Sequence, residues 1–189
     1  MIIKLVEKSI CIISSVFLLS SCSFQRQGTE EHFYNIVCDK NVSKVNILDD
    51  LILDFRMPSY LNSKSILFKK NENEMILTNN NKWIDTLSVM LIESLSQELQ
   101  ISNHCGKITC PKLNINMHDF SGSFLGKSYV SYDWSLTYDS NYLCAGTIRM
   151  ERDLVEKGYA SLVNSLNKSW NASVDEMSSE LQQCLAKDK

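Results

Sequence analysis

Apolar side chains recur every three or four residues in two stretches of the chain, which is the period of an amphipathic helix. The apolar positions of the first stretch are Leu87, Met90, Leu91, Leu95 and Leu99. We expect Asp85 to be the N-cap of this helix and Thr86 its first helical residue, with Ile84 and Val89 packed together as a hydrophobic staple. The helix is expected to bury its apolar face in the domain.

The second stretch, residues 156–186, contains no proline and predicts a helix of about eight turns. Its apolar stripe consists of Tyr159, Leu162, Val163, Leu166, Trp170, Val174, Met177, Leu181 and Leu185. A coiled-coil strand and a helix lying on a membrane are the alternatives, but a membrane-surface helix usually has a polar face rich in Lys and Arg. Lys157, Lys168 and Lys187 are too sparse for that, so we expect the helix to lie across a sheet.

Other segments are rich in β-branched and aromatic residues, or alternate between apolar and polar positions, as strands do. Before the first helix they are HFYNIV, SKVNILDDLILDF and a hairpin of SILFKK and EMILT joined by the polar NENE. Between the helices they are KLNINMHDF, SYVSYDWSLTY and YLCAGTIRM, joined by the turns SGSFLGK and DSN. In the middle strand of these three, one face is expected to be buried: Val130, Tyr132, Trp134, Leu136 and Tyr138.

The order of strands, helix, strands and helix predicts an α/β (α+β) fold in a single domain. The hairpins imply a mixed or largely antiparallel sheet, packed by two main helices of which the C-terminal one is long.

The N-terminus has the pattern of a secretory signal, because two lysines precede an apolar core and small residues stand before Cys22. The order LSSC resembles the bacterial lipobox, in which the cysteine receives lipid and the peptide before it is removed. An ordinary secretory signal with an incidental cysteine is the alternative. On the lipobox interpretation, residues 1–21 are the signal peptide, residues 22–32 the lipidated N-terminus and tether, and residues 33–189 the domain.

Acyl chains on Cys22 are expected to hold the protein on a membrane without a spanning helix, because each buried CH₂ contributes about 0.8 kcal/mol. In Gram-negative lipoproteins that resemble this one, Asp after the cysteine commonly marks retention in the inner membrane. Ser23 therefore favours the periplasmic face of the outer membrane. The mature chain has 17 basic and 21 acidic side chains, a net charge of −4, which does not favour a nucleic-acid partner.

The mature chain has five cysteines besides the lipidated one: Cys38, Cys105, Cys110, Cys144 and Cys184. We expect a disulfide between Cys105 and Cys110, because the glycine between them lets the chain fold back to the short Cα separation of a bridge; buried free thiols are the alternative. The odd number leaves at least one thiol free or paired between chains. His104 stands beside this pair, but no second group of ligands completes a zinc site, so no metal is expected.

The sequence contains no recognisable catalytic motif. The segment GSFLG lacks the serine placement of a nucleophile elbow, and neither a phosphate-binding loop nor an HExxH motif is present. His118 and Asp119 are candidates for the base and orienter of a hydrolase only if a serine meets them in the fold. We therefore expect no enzymatic activity and no cofactor, and a periplasmic hydrolase is the less favoured alternative.

One region combines a strand ending in Pro and Tyr-Leu, a hairpin, and an Asn-Asn-Asn-x-Trp run leading into a helix with regularly spaced leucines. Its elements are Pro58, Tyr60, Leu61, Asn79, Asn80, Asn81, Trp83, Leu87 and Leu91. This pattern resembles the PqiC family, the ABC-transporter auxiliary lipoproteins linked to MCE-type lipid transport. The resemblance continues more weakly through KLNINMHDFSGSF, YVSYDWSL and the C-terminal helix with its mid-helix tryptophan.

The resemblance implies a non-enzymatic part in moving lipid between the inner and outer membranes. The lipoprotein is expected to dock a periplasmic conduit of MCE-domain protein at the outer membrane and to contribute to envelope integrity, with a homo-oligomeric ring as a further hypothesis. The alternative is a structural or assembly-assisting envelope lipoprotein without lipid transport. Trp83 is either a core aromatic at the helix entry or a partner contact, and Asn79, Asn80 and Asn81 lie either in a turn or on a recognition surface.

Overall fold

The computed structural model describes residues 30–37, 51–101, 105–106 and 109–187. Within these residues the chain forms the following strands and helices: β1 (His32–Tyr34), β2 (Ile52–Arg56), β3 (Ser65–Lys69), β4 (Met75–Trp83), α1 (Leu87–Leu99), β5 (Lys112–Ser123), β6 (Lys127–Tyr138), β7 (Asn141–Asp153) and α2 (Tyr159–Lys187). The described strands form one mixed sheet with two helices, the C-terminal one long, which confirms the predicted fold class.

Strand β5 organises the sheet. One of its edges pairs with β6 in antiparallel fashion, and β6 pairs in the same way with β7. The other edge is shared, because β2 runs parallel to the first part of β5 and β3 runs parallel to its last residues, Gly122 and Ser123. β4 then pairs antiparallel with β3, and β1 parallel with β4. One end of the sheet therefore contains the last residues of β3, β5 and β7 and the first residues of β4 and β6.

The two faces of the sheet differ in polarity. Along β6 the predicted alternation is confirmed for four of the five positions, since Val130, Tyr132, Trp134 and Leu136 are buried. Tyr138 is 42 % exposed because it is the last residue before the β6–β7 turn. The buried side chains define the core face of the sheet, and the polar side chains between them define its open face.

Helix α2 packs across β5, β6 and β7 on the core face, as its apolar stripe predicted. Trp170 in the middle of this helix is fully buried, and its ring lies 5.8 Å from that of Tyr132 and 6.4 Å from that of Phe120, measured between centroids. A disulfide between Cys144 of β7 and Cys184 of α2 joins the helix covalently to the edge of the sheet. The long helix is thus held by the core and by a covalent link.

Helix α1 buries all of its predicted apolar positions, but its predicted start is wrong by one residue. The helix begins at Leu87, and Thr86 is the N-cap, without a side-chain capping hydrogen bond. The carboxylate of Asp85 accepts a hydrogen bond from the N–H of Thr86 (2.6 Å) and so does not reach into the first turn. With the cap at Thr86, the two staple positions are Asp85 and Met90 instead of the predicted Ile84 and Val89, which are 57 % and 38 % exposed.

The connections between β5, β6 and β7 are tighter than the sequence suggested. Most of SGSFLGK belongs to the strands, and the turn itself is only Phe124, Leu125 and Gly126, where Gly126 has a φ of 77°. The β6–β7 turn is formed by Asp139 and Ser140, whose φ values of 48° and 67° are those of a hairpin turn with two left-handed residues.

Candidate functional site

The asparagine run is part of a strand. Asn79, Asn80 and Asn81 lie in β4, between β3 and β1, and not in a turn. Asn81 accepts a hydrogen bond from the Tyr34 hydroxyl (3.1 Å), which ties β1 to β4, whereas Asn79 is exposed. The following Trp83 is 1 % exposed, and its ring stands edge-on to Phe120 with 5.9 Å between centroids. In this fold Trp83 is a core residue at the entry to α1.

The cysteines noted in the sequence differ in whether the structure describes them. Cys22 and Cys38 lie outside the described residues. Cys105 and Cys110 are joined by a disulfide in the connection between α1 and β5, with 6.1 Å between their Cα atoms. Among the described residues, no group of three His, Cys, Asp or Glu side chains is arranged to hold a metal ion. Neither helix of the described chain has the length and apolar character to cross a membrane.

The proposed pairing of His118 with Asp119 does not form. A register shift in β5 between Met117 and Asp119 turns His118 toward β6, where its Nε2 lies 2.7 Å from Oδ2 of Asp133. The other oxygen of Asp133 accepts a hydrogen bond from the Thr147 hydroxyl (2.7 Å), and these two contacts lower the pKa of the carboxyl. The carboxylate that contacts His118 is therefore that of Asp133 and not that of Asp119.

Asp119 has a different set of partners on the same strand. It forms an ion pair with Lys69 of β3, and its second oxygen accepts a hydrogen bond from the Ser121 hydroxyl (2.6 Å). The ammonium group of Lys69 also lies 4.4 Å above the ring of Tyr129. This cluster joins β3, β5 and β6 on the open face, so its role is to hold strands together.

The open face contains a polar groove with a volume of about 850 Å³. The polar side chains that line it include Arg56, Lys112, Asn114, Asn116, Asp133 and Thr147. They form a row across neighbouring strands. Asn116 on β5 is paired with Arg56 on β2 and with Asp133 on β6. Asp133 is paired in turn with Thr147 on β7. The groove is therefore a property of the sheet and not of a loop.

Charges along the polar groove are neutralised within the protein. Oδ2 of Asp54 lies 2.8 Å from the guanidinium of Arg56 and 2.7 Å from the ammonium of Lys112, and hydrogen bonds from these two groups lower the pKa of its carboxyl. The amide of Asn114 donates to the carbonyl and the hydroxyl of Ser135 (3.3 Å each). A surface of preorganised hydrogen-bonding groups with balanced charge suits docking of a polar partner better than capture of a single ion.

A second surface, for which the sequence predicts only a turn, lies at the end of the sheet where β5 meets β6. Phe124, Leu125 and Val155 are 65 %, 84 % and 89 % exposed, and we call these three residues the apolar tip. Phe124 packs on Phe68, whose ring also contacts Tyr159 at the start of α2. An apolar cavity of about 380 Å³ lies beside them. The available sequence signal was the Phe-Leu pair in a turn, where polar residues are usual.

Comparisons with known proteins agree on one family. A family model described as the ABC-type transport auxiliary lipoprotein component matches residues 51–178. The intermembrane transport lipoprotein PqiC of Escherichia coli (strain K12) is 25 % identical over 134 residues, which cover 67 % of this chain and 71 % of the relative. The protein of the same description from Shigella flexneri gives the same figures.

Two solved structures have the same fold. An uncharacterised protein aligns with a TM-score of 0.69 and 19 % identity over 81 % of this chain and 99 % of its own. A protein from Xanthomonas campestris aligns with a TM-score of 0.70 and 14 % identity over 82 % of this chain and 98 % of its own. At sequence identities this low, the two structures show a shared fold and nothing further.

Proposed function

The chain belongs to the family of ABC-type transport auxiliary lipoprotein components, and on that premise we propose that it docks a periplasmic lipid-transport conduit at the outer membrane. The curated relatives are named as intermembrane transport lipoproteins, which supports a transport role. The protein acts without catalysis, and its partner is an MCE-domain protein. By holding the conduit at its membrane it contributes to envelope integrity.

The observation that carries the docking role is the polar groove on the open face. Neither α1 nor α2 packs over this face, and its side chains are fixed by cross-strand contacts instead of extending freely into water. Groups that are already ordered lose little conformational entropy when a partner binds, which favours association. Because its charges are paired internally, the groove can be covered by a polar partner without leaving an isolated charge buried.

Membrane attachment is assigned to the acyl group on Cys22. Residues 1–21 act as the signal peptide, residues 22–32 as the lipidated tether and residues 33–189 as the domain. Ser23, in the position where Asp commonly retains lipoproteins in the inner membrane, supports delivery to the periplasmic face of the outer membrane. Mass spectrometry of the mature protein tests this step, and an unmodified Cys22 would contradict it.

Several copies arranged in a ring around the end of the conduit would bind it at several points at once. Repeated weak contacts give a higher overall affinity when they act together. A ring requires a heterologous interface that closes on itself. Light scattering of the detergent-solubilised protein tests this part, and a monomer at all accessible concentrations would exclude the ring.

Site-specific photocrosslinking in cells tests the docking surface. A photoreactive amino acid at Asn116, which is exposed on the open face, should form a crosslink to an MCE-domain protein. The matched control is Gln97, which is exposed on α1, away from the open face, and should give none. Absence of an MCE-domain protein from both samples would contradict the proposal and favour a structural envelope lipoprotein without a transport partner.

A further inference from the structure

We propose that the apolar tip inserts into the surface of the lipid bilayer that carries the anchor, and so provides a second membrane attachment. This goes beyond the docking function, which concerns the open face. It assigns Phe124, Leu125 and Val155 to contact with phospholipid.

The apolar tip is a protrusion. Leu125 is in the three-residue turn between β5 and β6, and Val155 follows Leu154, whose N–H donates to the carbonyl of Gly126 (2.8 Å). The two exposed side chains therefore come from adjacent loops at one end of the sheet. Phe124, the residue before Leu125, packs its ring on Phe68, and Phe68 in turn contacts the ring of Tyr159. The loops are thus held by packed aromatic residues and backbone hydrogen bonds.

Three projecting side chains are too few for a stable protein interface of their own. A specific interface usually buries about 800 Å² on each partner, which is far more than this tip presents. A fluid bilayer needs no shape complementarity, and exposed Phe and Leu side chains at a membrane surface are typical of interfacial anchors.

The direction of β1 makes its first residue face the end of the sheet that carries the tip. β4 starts beside the tip, because its first residue, Met75, is paired with Lys69, and the carbonyl of Lys69 accepts a hydrogen bond from the N–H of Phe124. β1 runs parallel to β4. β4 therefore runs away from the tip, and so does β1. The N-terminal end of β1 accordingly faces the end of the sheet that carries the tip.

The tether is long enough for both attachments to act together. β1 begins opposite Asn81, six residues along β4 from Met75, which corresponds to about 20 Å from the tip end of the sheet. Residues 23–30 separate Cys22 from Glu31, and a segment of that length reaches at most about 30 Å. An acyl chain on Cys22 and the apolar tip can therefore enter the same leaflet.

Charge around the tip does not select anionic lipid. Lys127 at the start of β6 forms an ion pair with Glu151, and the neighbouring Lys157 follows Glu156 in the chain. These groups nearly cancel, so electrostatic attraction contributes little and the insertion is apolar. The proposal therefore predicts contact with zwitterionic and anionic bilayers alike.

Fluorescence of a labelled side chain in vesicles tests the insertion. The full lipidated protein, with Cys38→Ser to leave no other reactive thiol, carries Leu125→Cys labelled with an environment-sensitive dye. It is reconstituted into phosphatidylcholine vesicles with and without phosphatidylglycerol. The matched control is Tyr142→Cys, which replaces a large side chain of similar exposure, 77 %, near the opposite end of β7. Val155→Cys is a second test site.

We expect a blue-shifted emission and several-fold stronger quenching by lipids with a quencher on their acyl chains at Leu125 and Val155 than at Tyr142. Addition of phosphatidylglycerol should leave this difference unchanged. Equal, weak quenching at all three sites would overturn the proposal, as would shielding of Leu125 that appears only when an MCE-domain protein is added. The comparison of the three sites is made before any MCE-domain protein is added, so its result is independent of whether the docking function is correct.

Discussion

A buried hydrogen bond between the two helices provides a quantitative test of the fold. The indole N–H of Trp170 on α2 donates to the hydroxyl of Ser94 on α1 (3.0 Å), and that hydroxyl donates to the carboxylate of Glu98 (3.3 Å). Trp170 is fully buried and Ser94 is 4 % exposed, so water does not compete for this bond. Trp170→Phe retains an aromatic ring but removes the indole N–H. The hydroxyl of Ser94 then accepts no hydrogen bond from α2.

The expected loss of stability combines two contributions. The hydrogen bond is worth about 1 kcal/mol net. The smaller ring leaves a void next to Phe120 and Tyr132, which adds roughly 1 to 2 kcal/mol. The free energy of unfolding should therefore fall by about 2 to 3 kcal/mol, and Tm by roughly 5 to 10 °C for a domain of this size. Trp170→Ala should cost more, about 3 to 5 kcal/mol.

A double-mutant cycle isolates the hydrogen bond from the void. Urea unfolding, followed by far-UV circular dichroism, is measured for Trp170→Phe, Ser94→Ala and the double variant, with an expected coupling of about 1 kcal/mol. Ser178→Ala is the control, because its buried hydroxyl has no hydrogen-bond partner in the described part of the chain; its effect should add to that of Trp170→Phe. If the losses of stability caused by Trp170→Phe and Ser94→Ala are also additive, the contribution assigned to this hydrogen bond is refuted.

Two further predictions concern the open face and the edge of the sheet. The pKa of Asp54 is lowered by Arg56 and Lys112, so its stabilising effect is present above about pH 4 and is lost as pH falls through the native pKa. Asp54→Asn should cost about 1 kcal/mol in urea unfolding at neutral pH and little in strong acid; an equal loss at both would contradict the ion pairs. Replacing both Cys144 and Cys184 by serine opens a link across 40 residues and should cost about 2 to 4 kcal/mol, and an unchanged Tm would contradict a stabilising bridge.

Local periodicity was sufficient to predict the elements that form the core. The alternation along β6 placed Tyr132 and Trp134 on the core face, and the stripe of α2 placed Trp170 and Met177 against it, because side-chain direction depends only on the period of the element. The period of α1 likewise identified five apolar positions that are all buried. These predictions needed no knowledge of which strands pair.

Features that depend on pairing between distant segments were not predictable in this way. β2 and β3 pair with different parts of the same edge of β5, and this depends on the register between distant strands. The Cys144–Cys184 bridge joins residues that no local sequence pattern connects. The displacement of His118 did leave a trace in the sequence, because two polar residues separate Met117 from Phe120 where strict alternation allows one. Such a break is typical of a β-bulge, but its partner on β6 is decided by the fold.

The two surfaces lie on one rigid sheet, and this fixes how the protein presents itself to a partner. Strands β3 to β7 begin or end beside the apolar tip, so we expect the proposed insertion to point them away from the bilayer. Asp133 and Thr137 lie six and ten residues along β6 from Lys127 at the tip end, which corresponds to roughly 20 to 34 Å above the lipid surface. Because α2 and the Cys144–Cys184 bridge brace β6 and β7, this height cannot vary as it would on a flexible tether. If the tip inserts as proposed, it holds the polar groove at this distance from the lipid, where the proposed docking of a conduit would take place.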